Sequence, residues 1–102
     1  MAAQILIPAQ TGAFDSVFFP INQENLPATI EADGLQGSET IPIKRSLDDG
    51  VTSTTISHDG TNIELSLMNN TVTINSPMLI QVTKGATAGP VTVGITSGRL
   101  KA

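Results

Sequence analysis

From residue 27 to residue 97, apolar and polar side chains alternate with a period of two, in segment after segment broken by Gly, Asp, Asn and Pro. Successive side chains of an extended strand point to opposite faces, so this alternation predicts half-buried strands with one face on a core. Ala28, Ile30 and Ala32 share one face of the first strand, opposite Thr29, Glu31 and Asp33. Gly34 and Gly37 turn the chain, and residues 39–45 repeat the scheme with Ile41 and Ile43 inward and Lys44 outward. Pro42 has no N–H to give a ladder, which predicts an edge strand or a bulge there. Residues 51–57, rich in Thr and Ser, read as a weak strand, and residues 62–67 as a stronger one with Ile63, Leu65 and Leu67 on one face. Val72 and Ile74 point inward from residues 71–75, and Val91, Val93 and Ile95 from the last strand. Between them Met78, Ile80 and Val82 alternate with Leu79, Gln81 and Thr83; this strand is apolar on nearly both faces at its start and is expected to be central. Asp48-Asp49-Gly50 and His58-Asp59-Gly60 read as tight turns, because Asp and Gly tolerate the positive φ that such turns require.

Residues 1–26 read differently. Ile5-Leu6-Ile7 is apolar, Thr11-Gly12 is a break, and Pro8 and Pro20 punctuate the segment. Phe14, Phe18 and Phe19, the whole aromatic content of the chain, fall within six positions. Residues 13–21 are at best an edge strand bent at Pro20. The segment is expected to be an extended N-terminal arm (1–26) carrying one or two short edge strands, either packed on the domain (27–102) or reaching beyond it. About seven strands of roughly four to eight residues, spaced near ten, with no helical segment, predict an all-β fold: a small antiparallel β-sandwich, immunoglobulin-like or related.

A chain of 102 residues suffices for one modest core, and the side chains available to fill it are chiefly Ile, Leu, Val, Ala and Met. Nine acidic and five basic residues give a formal net charge of −4, which disfavours nucleic acid and anionic membrane as partners. Lys44-Arg45 is the one pair of adjacent basic residues and reads as part of a solvated strand face. No run approaches the ~20 apolar residues of a membrane span, and residues 1–8 lack signal-peptide features, so a soluble protein made in the cytoplasm is expected. Cysteine is absent, which excludes a disulfide framework, a thiolate nucleophile and a thiolate metal site.

Candidate chemistry is sparse. His58, the lone histidine, sits beside Asp59 in a turn, where no oriented nucleophile or substrate cleft accompanies the pair. One His and dispersed carboxylates do not make a zinc site; a calcium held between loops by Asp33, Asp48, Asp49 or Asp59 remains the other metal reading, although Asp before Gly is already explained by turn geometry. Neither Gly34-Leu35-Gln36-Gly37 nor the loop from Gly85 to Gly89 leads into a helix that could hold phosphate. The expectation is no catalysis, no metal and no cofactor. Phe14, Phe18, Phe19 and Pro20 are the candidate partner-binding residues, since rigid aromatics contribute disproportionately to interfaces. The alternative is that the Phe side chains fill the domain's own core. Phe18 and Phe19 are adjacent, so one of them must look away from a one-sided core.

The segment order resembles that of small structural proteins of tailed bacteriophages. The residues that carry the likeness are Glu31-Ala32-Asp33-Gly34-Leu35 with Gly37 and Glu39, then Asp49-Gly50, Asp59-Gly60, and Ile74-Asn75-Ser76-Pro77. They continue through Ile80-Gln81-Val82-Thr83-Lys84-Gly85-Ala86-Thr87 to Val91-Thr92-Val93, so that the likeness covers about seventy of 102 residues. The resemblance implies an immunoglobulin-like or related sandwich located on the virion as a head decoration or cement protein. Its partner would be the major capsid protein of the same particle, and it would act as a homo-oligomer, a trimer among the options. A carbohydrate- or receptor-binding module of adhesin or fibre type is the alternative, and a neck or tail component another. Sugar platforms usually present Trp or Tyr, and this chain has neither.

Overall fold

The computed structural model describes residues 4–58 and 61–97. Its strands are β1 (Gln4–Gln10), β2 (Phe14–Asp15), β3 (Phe19–Ile21), β4 (Ala28–Asp33), β5 (Thr40–Ser46), β6 (Thr54–Thr55), β7 (Ser57–His58), β8 (Thr61–Asn62), β9 (Glu64–Ser66), β10 (Thr71–Ile74), β11 (Met78–Lys84) and β12 (Val91–Ser97). One short 3-10 turn, Gln23–Asn25, precedes β4. Two antiparallel sheets pack face to face, as the alternation predicts. The first has the order β1-β12-β4-β10; in the second β11 pairs with β2 and β3 on one side and with β5 on the other, and β5 pairs in turn with β6 and β9.

The core lies between them. Ile30 on β4, Ile41 and Ile43 on β5, Leu65 on β9, Ile80 and Val82 on β11, and Val91 and Val93 on β12 are fully buried. These are the inward positions of the period-two pattern, and β11 is central, as expected from its apolar start.

Connectivity refines the fold. The chain changes sheet at each connection between strand lanes except where β5 leads into β6. An immunoglobulin sandwich keeps its last two strands side by side in one sheet. Here β11 and β12 lie in different sheets, with β12 between β1 and β4. That order is a jelly roll, two interleaved Greek keys, so the sandwich is of the related kind.

Several local expectations are adjusted. The segment before residue 27 is packed on the domain: β1 pairs with β12, β2 and β3 pair with β11, and Leu6, Ile7 and Ile21 are core residues. β5 is an interior strand and not an edge, and Pro42 sits in it without a bulge, in regular register with Glu64 of β9. The β5–β11 ladder covers Ile43 to Ser46 and stops before Pro42, where a missing N–H costs nothing. On the other side Ile43 bonds both Ile56 and Ile63, pinning the base of the β7–β8 hairpin that interrupts this edge lane. Val51, expected at the start of a strand, is 80% exposed, and pairing begins only at Thr54. Leu67, expected inward, is half exposed because β9 ends at Ser66.

Candidate partner-binding surface

The four nominated residues lie on the stretch that runs antiparallel to β11. Lys84 pairs with Phe14 and Thr83 with Asp15, whereas Ile80 pairs with Phe19 and Leu79 with Pro20. Between these pairs, Ser16, Val17 and Phe18 face only Gln81 and Val82, so one extra residue is accommodated as a β-bulge. The bulge decides which aromatics reach the core. Phe14 and Phe19 are an odd number apart, which would put them on opposite faces of a regular strand. With the register slipped by one, both pack against the core, as the self-filling alternative expects of them. Phe18 is then the aromatic that looks away.

Ser16 builds the bulge. Its N–H donates to the Val82 carbonyl at 2.9 Å, its Oγ accepts the Val82 N–H at 3.0 Å, and its carbonyl accepts Gln81 Nε2 at 2.9 Å. A hydroxyl thus takes the place of a strand carbonyl, and Val17 is thrown outward at 76% exposure.

Phe18 rests on the turn after β5. An added Cβ at Gly50 would lie 3.3 Å from the Phe18 ring, so the turn backbone is in close contact with that ring. Asp49 and Gly50 both have positive φ, 58° and 90°, and the Val51 N–H closes the turn on the Asp48 carbonyl. This is the tight-turn geometry expected of Asp-Asp-Gly. The buried Ser46 accepts the Gly50 N–H through Oγ at 2.8 Å and donates to Asp48 Oδ1 at 2.8 Å. Asp48 also accepts the Thr52 hydroxyl at 2.6 Å and the Thr52 N–H at 2.9 Å. These donors, the Thr52 hydroxyl first, hold the Asp48 carboxyl down at a pKa of about 2.

Leu47 and Val51 flank this braced turn at 82% and 80% exposure. The contact of Phe18 with Gly50 brings this turn against the segment that carries Val17 and Pro20, so exposed apolar side chains stand on both of the segments that meet there. Val17 is held on the hydrogen-bonded bulge, and Leu47 and Val51 at the two ends of the hydrogen-bonded turn. Period-two reasoning could not find Val17, Leu47 and Val51, because bulges and turns break the period.

The other candidates fall elsewhere. His58 ends β7 opposite Thr61, and Asp59 and Gly60 lie outside the described residues. Among the described residues no group of three or more His, Cys, Asp or Glu side chains could hold a metal. At one end of the sandwich the crossover loops are tied together by Glu39, whose carboxylate accepts the Gln36 N–H at 2.9 Å and the Ala88 N–H at 2.7 Å. Those bonds, Ala88 first, lower its pKa. Lys84, buried at the end of β11, donates from Nζ to the carbonyls of Gly12 at 2.7 Å and Gly85 at 3.0 Å. Both glycine loops therefore have structural work as crossovers. No family model, curated protein or solved structure matches the chain.

Proposed function

We propose that this chain is a non-enzymatic virion structural protein, a capsid decoration or cement protein that binds the outer lattice of a phage head and stabilises it. The observation that carries the reading is the exposure of Val17, Leu47 and Val51 on the two segments joined by the contact of Phe18 with Gly50, large apolar side chains held in water on braced backbone. Such an arrangement has value as a contact surface, since burying it on a partner recovers roughly 25 cal/mol per Å² of apolar area. The resemblance of residues 31–93 to phage structural proteins supplies the particle, and the major capsid protein is the partner. Copies on neighbouring lattice sites gain through multivalency what one small surface lacks. Purified protein added to particles stripped of it binds and raises their heat resistance. A Val17→Asp/Leu47→Asp variant of unchanged stability binds at least tenfold more weakly, because each charge is desolvated against apolar surface. Equal binding by the variant would refute the assignment of the surface.

A second reading has one observation behind it. On the outer face of the first sheet an open groove of about 440 Å³ is lined by Ile5, Glu31, Asp33, Thr92, Gly94 and Thr96. Carboxylates and hydroxyls over a glycine floor suit a polyhydroxylated ligand, and jelly rolls also serve as lectin domains. Clear hits on a glycan array, lost in Asp33→Asn, would favour this carbohydrate-binding reading.

A further inference from the structure

We infer that the free edge of β10 is a self-association surface, on which a second copy of this chain pairs its own β10 antiparallel about a two-fold axis. The β4–β10 register decides which backbone groups of β10 are left over. Ala32 donates its N–H to the Asn70 carbonyl, so Asn70, Val72 and Ile74 share the hydrogen-bonded pairs with Ala32, Ile30 and Ala28 of β4. The N–H and C=O groups of Thr71 and Thr73 then point away from the sheet.

The other sheet edges among the described residues are protected against pairing. β1 carries Pro8 and two register shifts, β2 and β3 carry the Ser16 bulge and Pro20, and the β6–β9 lane is interrupted by the β7–β8 hairpin. Proline, bulges and interruptions are the usual devices that keep edges apart. β10 has none of them: Thr71-Val72-Thr73-Ile74 is regular in register, uncharged and free of proline.

Neutrality matters for the choice of occupant. Across a two-fold axis each residue meets its own kind or a near neighbour, so any charge on the strand would oppose a like charge. β10 presents none. Pairing Thr71 of one copy with Thr73 of the other forms four backbone hydrogen bonds and sets Val72 opposite Val72. Beside this edge lies a groove of about 260 Å³ whose apolar wall includes Ile56, Ile63, Val72 and Met78. The two Val72 side chains would close the mouths of the two grooves together. The inference stands on this edge alone, and the virion reading would survive a monomer.

Sedimentation velocity on the full chain from about 10 µM to about 1 mM, with amide exchange read at low and high concentration, tests it. The expected result is a monomer–dimer equilibrium in which the Thr71 and Thr73 amides become protected as dimer forms. Thr73→Pro removes an outward donor without touching the β4 ladder, and losing one hydrogen bond per copy weakens the dimer about thirtyfold. Thr73→Lys, which leaves the backbone unchanged, also weakens it and makes it salt-sensitive. Monomer throughout the range, dimerisation that leaves both amides unprotected, or well-folded variants that dimerise like the parent would each overturn the proposal. So would a monomer that instead takes up an added extended peptide along β10.

Discussion

At the scale of single residues, the structure turns on small polar groups that hold backbone where periodicity would not place it. Asp48 is the clearest. Its pKa lies at about 2 against an ordinary 3.8, so on acidification the unfolded chain takes up the proton before the folded one. The turn's contribution is therefore complete above pH 3.8 and is lost as pH falls toward 2. Asp48→Asn is expected to melt below the parent at pH 5–7, with the gap closing through that window; a constant gap from pH 7 to pH 2 would contradict the carboxylate's role. Gly34 makes a second prediction. It has φ +104°, and a Cβ there would run into the Pro90 carbonyl. Gly34→Ala is expected to cost about 2–3 kcal/mol in chemical denaturation, through a strained φ and a backbone clash together. The turn at Asp48-Asp49-Gly50 was legible in the sequence because its residue types carry their own backbone preference. Lys84 was not: a lysine at a strand end ordinarily reads as solvated, and only the approach of the Gly12 carbonyl, from 72 residues away, makes it a buried cap.

At the scale of elements, strands that obey the period were readable and strands that break it were not. β4, β5, β11 and β12 each bury the alternate residues that their sequences nominate. The edge formed by β2 and β3 misleads, because a bulge is a one-residue change of register with no compositional mark. Phe18 and Phe19 were expected to diverge, and they do, yet which of them turns inward follows from Ser16. Ser16→Ala would leave the buried Val82 N–H without its acceptor, at a cost of about 2 kcal/mol. The same change is expected to loosen Val17 and Phe18, and with them the proposed capsid contact. The measurement is exchange at the Val82 amide: faster exchange in the variant is expected, and unchanged exchange would mean that another group takes over as acceptor.

At the scale of the whole molecule, composition and alternation were enough for an all-β sandwich but not for its connectivity. Strand order is set by which crossover loops can pass over the ends of the core, and those loops are tied by long-range pairs such as Glu39 with Ala88 and Thr11 with Thr87. Period-two patterns carry no such pairings, and so the jelly-roll order emerges only in three dimensions. The assembled molecule carries exposed apolar side chains at the bulge and the turn of the second sheet, and an unpaired strand edge, β10, on the first. In the proposed role, this sandwich works by contact across a capsid lattice. The most direct test is the number of copies per particle, counted by quantitative mass spectrometry against the major capsid protein. A ratio that matches repeating lattice sites over the whole head is predicted; a ratio fit only for a single vertex, neck or tail, or no copies at all, would contradict it.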